Sequence, residues 1–313
     1  METSATIRIG ARGSNLSRRQ VDEVRRALLA ARPGLSAEVE VITTTGDVQL
    51  DTPLPLMGGK GVFTIEIEAA LREGRIDLAV HSLKDLPVAN PDGIVVGATP
   101  PRASVTDVLI SRSGLGLNDL PEGAVVGTSS HRRAAQLLFV RPDLRPRSIR
   151  GNVETRIRKA MDPVGEYDAI VLAAARLERL GLLDAVTEEL LLEVMLPAPG
   201  QAALAVQCRD DAESTALAGA MDHAPTHLAT LAERAFLAGL GGGCPAPVAA
   251  YGVLEDGTLS LRGRVIAIDG GRAIDVASVT ACPDREAAWT AGQQLAEQAL
   301  EQDAHAVMTE LAR

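Results

Sequence analysis

Residues 76–87 read IDLAVHSLKDLP, an apolar run followed at once by polar side chains. The run 76–80 predicts a buried strand, and Pro87 marks the end of the polar loop after it. Polar residues just beyond the carboxyl end of a strand occupy the usual ligand position of an open α/β sheet. This stretch therefore predicts an α/β fold with a ligand-binding edge at residues 81–87.

The same pattern occurs before and after this stretch. Residues 7–10, IRIG, predict a short first strand followed by the polar loop 11–14, with Ser14 or Asn15 as the cap of a helix. Residues 125–127 predict another strand, and the hydroxyls of 128–130 are suited to cap the helix that follows and to form an anion site there. The chain is therefore predicted to contain similar α/β halves.

Two proline-containing linkers, 99–102 and 196–201, separate these halves. The chain therefore passes between the halves twice, which indicates a hinged pair of lobes in which the chain returns to the first lobe. A third region follows, with a helix and then strands near 248–254, 258–268 and 273–280. The predicted domains are 1–102 plus 203–222, 103–202, and 223–313.

Charge is unevenly distributed along the 313 residues. The formal net charge is −10, yet residues 132–159 hold nine Arg or Lys against two acidic residues, a local charge of +7. A cationic segment in an acidic protein with 2% aromatic residues indicates a small or medium anionic ligand rather than nucleic acid. The three scattered cysteines indicate neither a disulfide framework nor a metal site. No signal or membrane-spanning segment is evident, so we expect a cytoplasmic protein without a membrane partner.

Arginines at strand-to-helix junctions favour carboxylate binding, because guanidinium donors match carboxylates in a planar, bidentate way. The junction arginines are Arg12, Arg132, Arg133, Arg150, Arg156 and Arg179. Solvated helix surface is the alternative, and it is preferred for Arg141, Arg145, Arg147 and Arg158. Asp85 is a proton acceptor or cation stabiliser, or else a loop aspartate that caps its own backbone.

Residues 241–247, GGGCPAP, join a helix-like segment to strands beginning near Val248. The glycines leave little bulk around Cys244, which displays a lone thiol. The alternative is a tight turn with an incidental small apolar residue. Residues 44–61 show no clear period, and a loop of that length is predicted to be a functional lid or disordered.

Three motifs together carry a family resemblance. HSLKDLP at 81–87, RGNVETR at 150–156 and GGC at 242–244 resemble the hydroxymethylbilane synthase (porphobilinogen deaminase) family. GARGS at 10–14, GTSSHRR at 127–133 and LP at 196–197 are similar to it as well. The resemblance implies a three-domain α/β fold, in which domains 1 and 2 are like the hinged lobes of type 2 periplasmic binding proteins. The third, a small α+β domain, carries the cofactor cysteine.

The resemblance also implies an activity. The family joins four porphobilinogen molecules head to tail with loss of ammonia and then releases the linear tetrapyrrole by hydrolysis. Its cofactor is a dipyrromethane held through a thioether, here on Cys244, and its catalytic carboxylate is here Asp85. The remaining implied cofactor contacts are Ser14, Lys84, Asp85, Thr128, Ser129, Ser130, Arg132, Arg133, Arg150 and Gly151. The implied substrate contacts are Arg12, Ser14, Lys60, Ser82, Arg150, Arg156, Arg179 and Gln201.

Three departures and two alternatives stay open at this point. Arg176 and Ala202 stand where the family pattern has glycine, and PAP at 245–247 replaces a more usual Gln-Val-Pro. A non-catalytic, two-lobed anion-binding or effector-sensing protein would need the arginines but neither Cys244 nor Asp85. A cysteine hydrolase would need a histidine committed to Cys244, and no motif supplies one. The expected partner is porphobilinogen, with no metal, and the expected state is a monomer.

Overall fold

The computed structural model describes residues 6–44, 64–242 and 246–309. Lys60, Cys244 and nearly all of the predicted 44–61 loop lie outside the described residues. The strands are β1 Thr6–Ala11, β2 Ser36–Val41, β3 Leu78–Ser82, β4 Ile94–Ala98, β5 Asp107–Ser111, β6 Val125–Gly127, β7 Arg145–Arg147, β8 Ala169–Ala173, β9 Glu188–Leu190, β10 Leu204–Arg209, β11 Val248–Glu255, β12 Thr258–Ile266 and β13 Ala273–Ala281. The helices are α1 Asn15–Ala31, α2 Ile65–Arg72, α3 His131–Val140, α4 Val153–Met161, α5 Ala174–Leu180, α6 Ala212–Gly219, α7 Ala224–Gly239, α8 Arg285–Glu301 and α9 Ala304–Thr309.

The first sheet has the order β2-β1-β3-β10-β4. β1 pairs in parallel with β2 and β3, whereas β10 is antiparallel to both β3 and β4. Helix α1 packs its apolar side chains Val21, Val24 and Leu28 into the core with Ile9 and Leu78. The three- to four-residue spacing of the apolar side chains along α1 therefore positions β1 and the loop that follows it.

The second sheet repeats this arrangement with the order β7-β6-β8-β5-β9. β6 is parallel to β7 and β8, and β5 is antiparallel to β8 and β9. In each sheet the one reversed strand, β10 or β5, lies at the same place in the order. Two similar mixed sheets covered by helices confirm the predicted α/β fold class.

Compact packing divides the chain into two units, Met1–Arg102 with Ala203–His227, and Ala103–Ala202 with Leu228–Arg313. The second unit contains the antiparallel sheet β11-β12-β13, with α7 and α8 in its core. No helix in the described ranges is long and apolar enough to cross a membrane.

Buried polar contacts join this third sheet to the second sheet. The Arg264 guanidinium on β12 donates to the side-chain oxygen of Gln136 and to the carbonyl of Glu193, each at 3.2 Å. The fully buried Glu233 carboxylate accepts from the backbone N–H of Gly200 at 2.6 Å and of Gly252 at 2.8 Å. These charge-assisted bonds tie the linker after β9 to β11 within the unit.

Candidate active site

One edge of the first sheet gathers predicted site residues. β1 and β3 are parallel neighbours, so their carboxyl ends lie at the same edge. Arg12 follows β1, Ser82 ends β3, and Lys84 and Asp85 lie in the single-turn 3-10 helix Leu83–Asp85. The carboxylate-bearing residue Asp85 is exposed, while Arg12 and Lys84 are half-buried.

Two hydroxyls at this edge have structural partners. Ser14 is the N-cap of α1, and its Oγ accepts from the Ser17 N–H at 3.2 Å. The Ser82 Oγ accepts from the Gln20 side-chain amide at 2.8 Å. A serine hydroxyl has a second lone pair and one proton, so both can still bind a ligand group.

His81, the last buried residue before this turn, is kept neutral. Burial, together with the positive charge of Arg12, lowers its pKa to about 4, although the Asp85 carboxylate opposes that shift. The imidazole is therefore uncharged near neutral pH. The charged groups that the sequence predicted at this edge are thus one carboxylate, Asp85, and the cations of Arg12 and Lys84.

The second sheet presents a comparable edge after β6 and β7. Ser130 is the N-cap of α3, and its Oγ accepts from the Arg133 N–H at 3.4 Å. The Ser129 hydroxyl donates to the Ile149 carbonyl at 2.7 Å and accepts from the Ile149 N–H at 3.1 Å. Thr128 is buried, and its Oγ1 accepts from the Ser130 N–H at 3.2 Å. The three hydroxyls thus shape the loop that opens α3.

The turn after β7 explains why the RGN motif has its glycine. Asn152 caps α4 by accepting from the Thr155 N–H at 2.9 Å. Gly151 has φ +116°, and a Cβ there would come within 2.7 Å of the Thr155 side chain. The Gly151 carbonyl accepts from the Arg156 Nε at 2.8 Å, and both Arg150 and Arg156 are half-buried. The turn therefore fixes the Arg156 side chain against the backbone of the RGN motif.

Arg132 and Arg133, which were predicted to bind ligand carboxylates, both contact a carboxylate of the protein itself. Both are buried, and the Asp107 carboxylate accepts from the Arg132 Nη2 at 2.7 Å and from the Arg133 Nη2 at 2.6 Å. Their pairing with an internal carboxylate does not test their predicted contact with cofactor, which stays a prediction. Arg141, expected on solvated surface, instead donates to three loop carbonyls and pairs with Asp143, so that expectation is wrong.

Gln201 is also used inside the fold. The side chain is fully buried, and its amide donates to the Val105 carbonyl at 2.7 Å and to the Asp107 Oδ1 at 3.0 Å. Its predicted contact with substrate also stays a prediction. Asp107 itself was missed by the sequence analysis, although an acidic residue at the start of the apolar run 107–111 signals a buried charge that needs partners.

Arg176 and Arg179 lie on the helix that directly follows β8, and Ala202 directly follows the second linker. The Arg179 Nη2 donates to the Ala202 carbonyl at 3.1 Å. Ala202 has φ +68° and is buried, a left-handed conformation that suits glycine. Arg176 is half-buried and precedes Arg179 by three residues on α5, so both lie on the same side of that helix.

The two cysteines that the structure describes, Cys208 and Cys282, are buried and therefore unreactive near neutral pH. Burial raises the pKa of the Cys208 thiol to about 11 and also raises that of Cys282. A thiol with a raised pKa is a poor nucleophile near neutral pH. In the described part of the chain there is also no group of three or more His, Cys, Asp or Glu that would hold a metal ion.

The donor set of the second edge fits a ligand with several carboxylates. Arg132 and Arg133 share the single Asp107 carboxylate, and the Nε atoms of both are buried without a hydrogen-bond partner in the described structure. Half-buried Arg150 and Arg156 add further cationic donors. A dipyrromethane that bears acetate and propionate groups has the chemistry these donors match.

Comparisons with known proteins agree with this chemistry. The family model "Porphobilinogen deaminase, dipyromethane cofactor binding domain" matches residues 7–217, and "Porphobilinogen deaminase, C-terminal domain" matches 227–301. The porphobilinogen deaminase of Roseiflexus sp. (strain RS-1) is 51% identical over 266 residues, which cover 85% of this chain and 87% of that protein. That of Syntrophotalea carbinolica is 44% identical over 310 residues, 99% of this chain and 97% of that protein. Among solved structures, a TRAP periplasmic solute binding protein from Ochrobactrum anthropi has a TM-score of 0.38 at 11% identity, covering 69% of this chain and 73% of that one.

Proposed function

The chain belongs to the porphobilinogen deaminase family, and we propose that Asp85 is its catalytic carboxylate and Cys244 its cofactor attachment point. The protein is a transferase, a hydroxymethylbilane synthase that joins porphobilinogen molecules head to tail. Each addition forms one carbon–carbon bond and releases one ammonia, and water finally releases the linear tetrapyrrole.

The dipyrromethane cofactor, when bound, supplies the pyrrole carbon on which the chain of pyrroles begins. Cys244 holds it covalently in this proposal, and the attachment keeps the lengthening chain from diffusing away between additions. The thiols of Cys208 and Cys282 support the assignment, because each is buried and has a raised pKa and is therefore a poor nucleophile. Neither of the two described cysteines is therefore suited to compete with Cys244 for attachment of the cofactor.

The observation that carries the catalytic role is the exposed Asp85 at the edge of the first sheet, next in sequence to Lys84. Loss of ammonia from porphobilinogen leaves positive charge spread over its pyrrole ring. A carboxylate fixed at the end of a buried strand stabilises such a charge and accepts a proton from the ring nitrogen. The neutral His81 imidazole adds no competing positive charge at this edge.

The cations of both edges bind carboxylates in this proposal. Every porphobilinogen carries an acetate and a propionate, so two cofactor rings and four added rings bring about twelve carboxylates to the protein. The half-buried Arg12, Arg150 and Arg156 are suited to bind them, because partial burial strengthens a charge-assisted hydrogen bond. Arg179, Lys84 and Lys60 complete the set, with Lys60 outside the described residues.

We also propose three domains, over 1–102 with 203–222, over 103–202 and over 223–313. The two compact units change after Arg102 and after Ala202, and the separate sheet β11-β12-β13 supports a third domain. The proposed location is the cytoplasm, tested by cell fractionation, and the proposed state is a monomer, tested by light scattering.

Intact mass of the purified protein is the direct test. We expect an added mass of two pyrrole units on the wild-type chain and none on Cys244→Ser, with Cys208→Ser as the matched control that keeps the adduct. A folded, active wild-type chain without added mass contradicts the cofactor assignment.

Turnover tests Asp85 separately. Asp85→Asn is expected to keep the adduct and to lose about a hundred- to a thousandfold in kcat, because removing a charge-stabilising group typically costs that much. Asp119→Asn, which changes an aspartate of a 3-10 helix in the second unit, is the control. Near-normal turnover of Asp85→Asn would remove the catalytic role, and a folded wild type with neither adduct nor activity would favour the non-catalytic anion-binding alternative.

A further inference from the structure

Asp107 is a fully buried carboxylate at the ligand edge of the second sheet. It begins β5, and its partner in the antiparallel pairing with β8 is Ala173, the last residue of β8. An antiparallel strand starts where its neighbour ends, so Asp107 lies at the carboxyl end of β8. That edge is the one from which Arg132 and Arg133 extend at the start of α3.

The two arginines bind different oxygens of this carboxylate. Arg132 contacts Oδ2 at 2.7 Å and Arg133 contacts Oδ1 at 2.6 Å, while the Gln201 amide donates to Oδ1 at 3.0 Å. Each guanidinium also donates to a carbonyl, Arg132 to Leu196 and Arg133 to Val171. Neighbouring residues on a helix point in directions about 100° apart, so a shared carboxylate is needed to bring both guanidiniums together.

The charges of this cluster do not cancel. Two guanidiniums and one carboxylate leave one positive charge among Asp107, Arg132 and Arg133, which are all buried. Burial opposes the charged form of Arg132, and it lowers the pKa of that residue despite the Asp107 carboxylate. An uncompensated buried charge is costly, so a second carboxylate that reaches the cluster is bound favourably.

We propose that Asp107 is a positioning residue that holds Arg132 and Arg133 together as a preformed site for one carboxylate of the dipyrromethane. The inference rests on the proposed function, since the cofactor supplies that carboxylate. Asp107 touches neither cofactor nor substrate, and it acts only through the two guanidiniums. Without its negative charge the two arginines repel each other, and the site opens.

The test compares Asp107→Asn with the wild type, each with and without cofactor. Cys244→Ser in both backgrounds supplies the form that carries no adduct. Intact mass measures the fraction of chains with two added pyrrole units, and thermal melting measures the gain in Tm that the cofactor produces. Asp143→Asn is the matched control, because it removes an aspartate that an arginine of the same unit contacts at 2.6 Å away from the cluster.

We expect Asp107→Asn to lower the loaded fraction at least tenfold and to abolish most of the Tm gain from the cofactor in the chains that are loaded. Asp143→Asn is expected to leave both quantities unchanged. A merely structural Asp107 lowers the Tm of loaded and unloaded forms equally and leaves the loaded fraction unchanged. That result overturns the proposal.

A second variant covers the case in which Asp107→Asn does not fold. Asp107→Glu keeps the charge and moves the carboxylate by one methylene group, so we expect a folded protein with a loaded fraction between those of Asp107→Asn and the wild type. Full loading of folded Asp107→Glu, with an unchanged Tm gain, contradicts a positioning role that depends on geometry. If the wild type itself carries no adduct, the proposed function fails, and that result is separate from any difference between the variants.

Discussion

The buried neutral imidazole of His81 makes the stability of the first unit depend on pH in a defined direction. Its pKa is about 4 in the folded protein, against 6.5 for an ordinary histidine, chiefly because of burial. Between these values the unfolded chain takes up the proton and the folded chain does not. Stability is therefore fully present above pH 6.5 and falls as the pH is lowered to 4.

The size of the effect follows from the shift. Each pKa unit corresponds to about 1.4 kcal/mol, so His81 alone lowers the free energy of unfolding by about 3 kcal/mol between pH 7 and pH 4. His81→Asn removes the titrating group and keeps a small polar side chain. We expect that variant to lose about 3 kcal/mol less than the wild type over the same interval.

Urea unfolding at pH 7 and at pH 4, followed by far-UV circular dichroism, measures the difference. Carboxylates also titrate in this interval, but they do so equally in both proteins, so the wild-type-minus-variant difference isolates His81. His305→Asn, which changes an exposed histidine, is the matched control variant. Equal losses for the wild type and His81→Asn would refute the buried neutral state.

Three further predictions follow from backbone geometry and thiol burial. Ala202→Gly should stabilise the protein by about 0.5–1 kcal/mol in thermal melting. The left-handed backbone of Ala202 strains an alanine, and relief of that strain exceeds the entropy that a glycine adds to the unfolded chain. A loss of stability would contradict backbone strain at Ala202. Gly151→Ala should destabilise it by about 1–3 kcal/mol in urea, since φ +116° and a contact of 2.7 Å oppose a Cβ; unchanged stability argues against that geometry. In Cys244→Ser, a thiol reagent at pH 8 should label Cys208 and Cys282 only after unfolding, and rapid labelling of the native protein contradicts their burial.

Local sequence patterns predicted most of the elements correctly. The caps at Ser14 and Ser130 appear as expected, because helix capping depends on residues within one turn of each other. The strand predicted at 76–80 is also present, but it runs over Leu78–Ser82, so His81 and Ser82 lie in the strand and not in the loop after it. Strands β11 to β13 also lie within a few residues of their predicted bounds. The motif at 81–87 places Asp85 on an exposed turn, as the pattern of apolar and polar residues indicated.

Strand β5 and the partners of Arg132 and Arg133 were not predictable in this way. Asp107 is 25 residues from Arg132 and 94 from Gln201 along the chain, and only the antiparallel pairing of β5 with β8 brings them together. A lone aspartate before an apolar run carries no signal of which cation it will meet. The use of the Gln201 amide inside the fold depends on the same pairing.

The sequence by itself determined the fold class, the family and the edge on which Asp85 lies, because these depend on short motifs and on the local periodicity of apolar residues. The tertiary structure decided which arginines are half-buried, as Arg150 and Arg156 are, and which are buried around an internal carboxylate, as Arg132 and Arg133 are around Asp107. The physical reason is that the charge of an arginine is set by its type, whereas its burial and its counter-ion are set by strands distant in sequence.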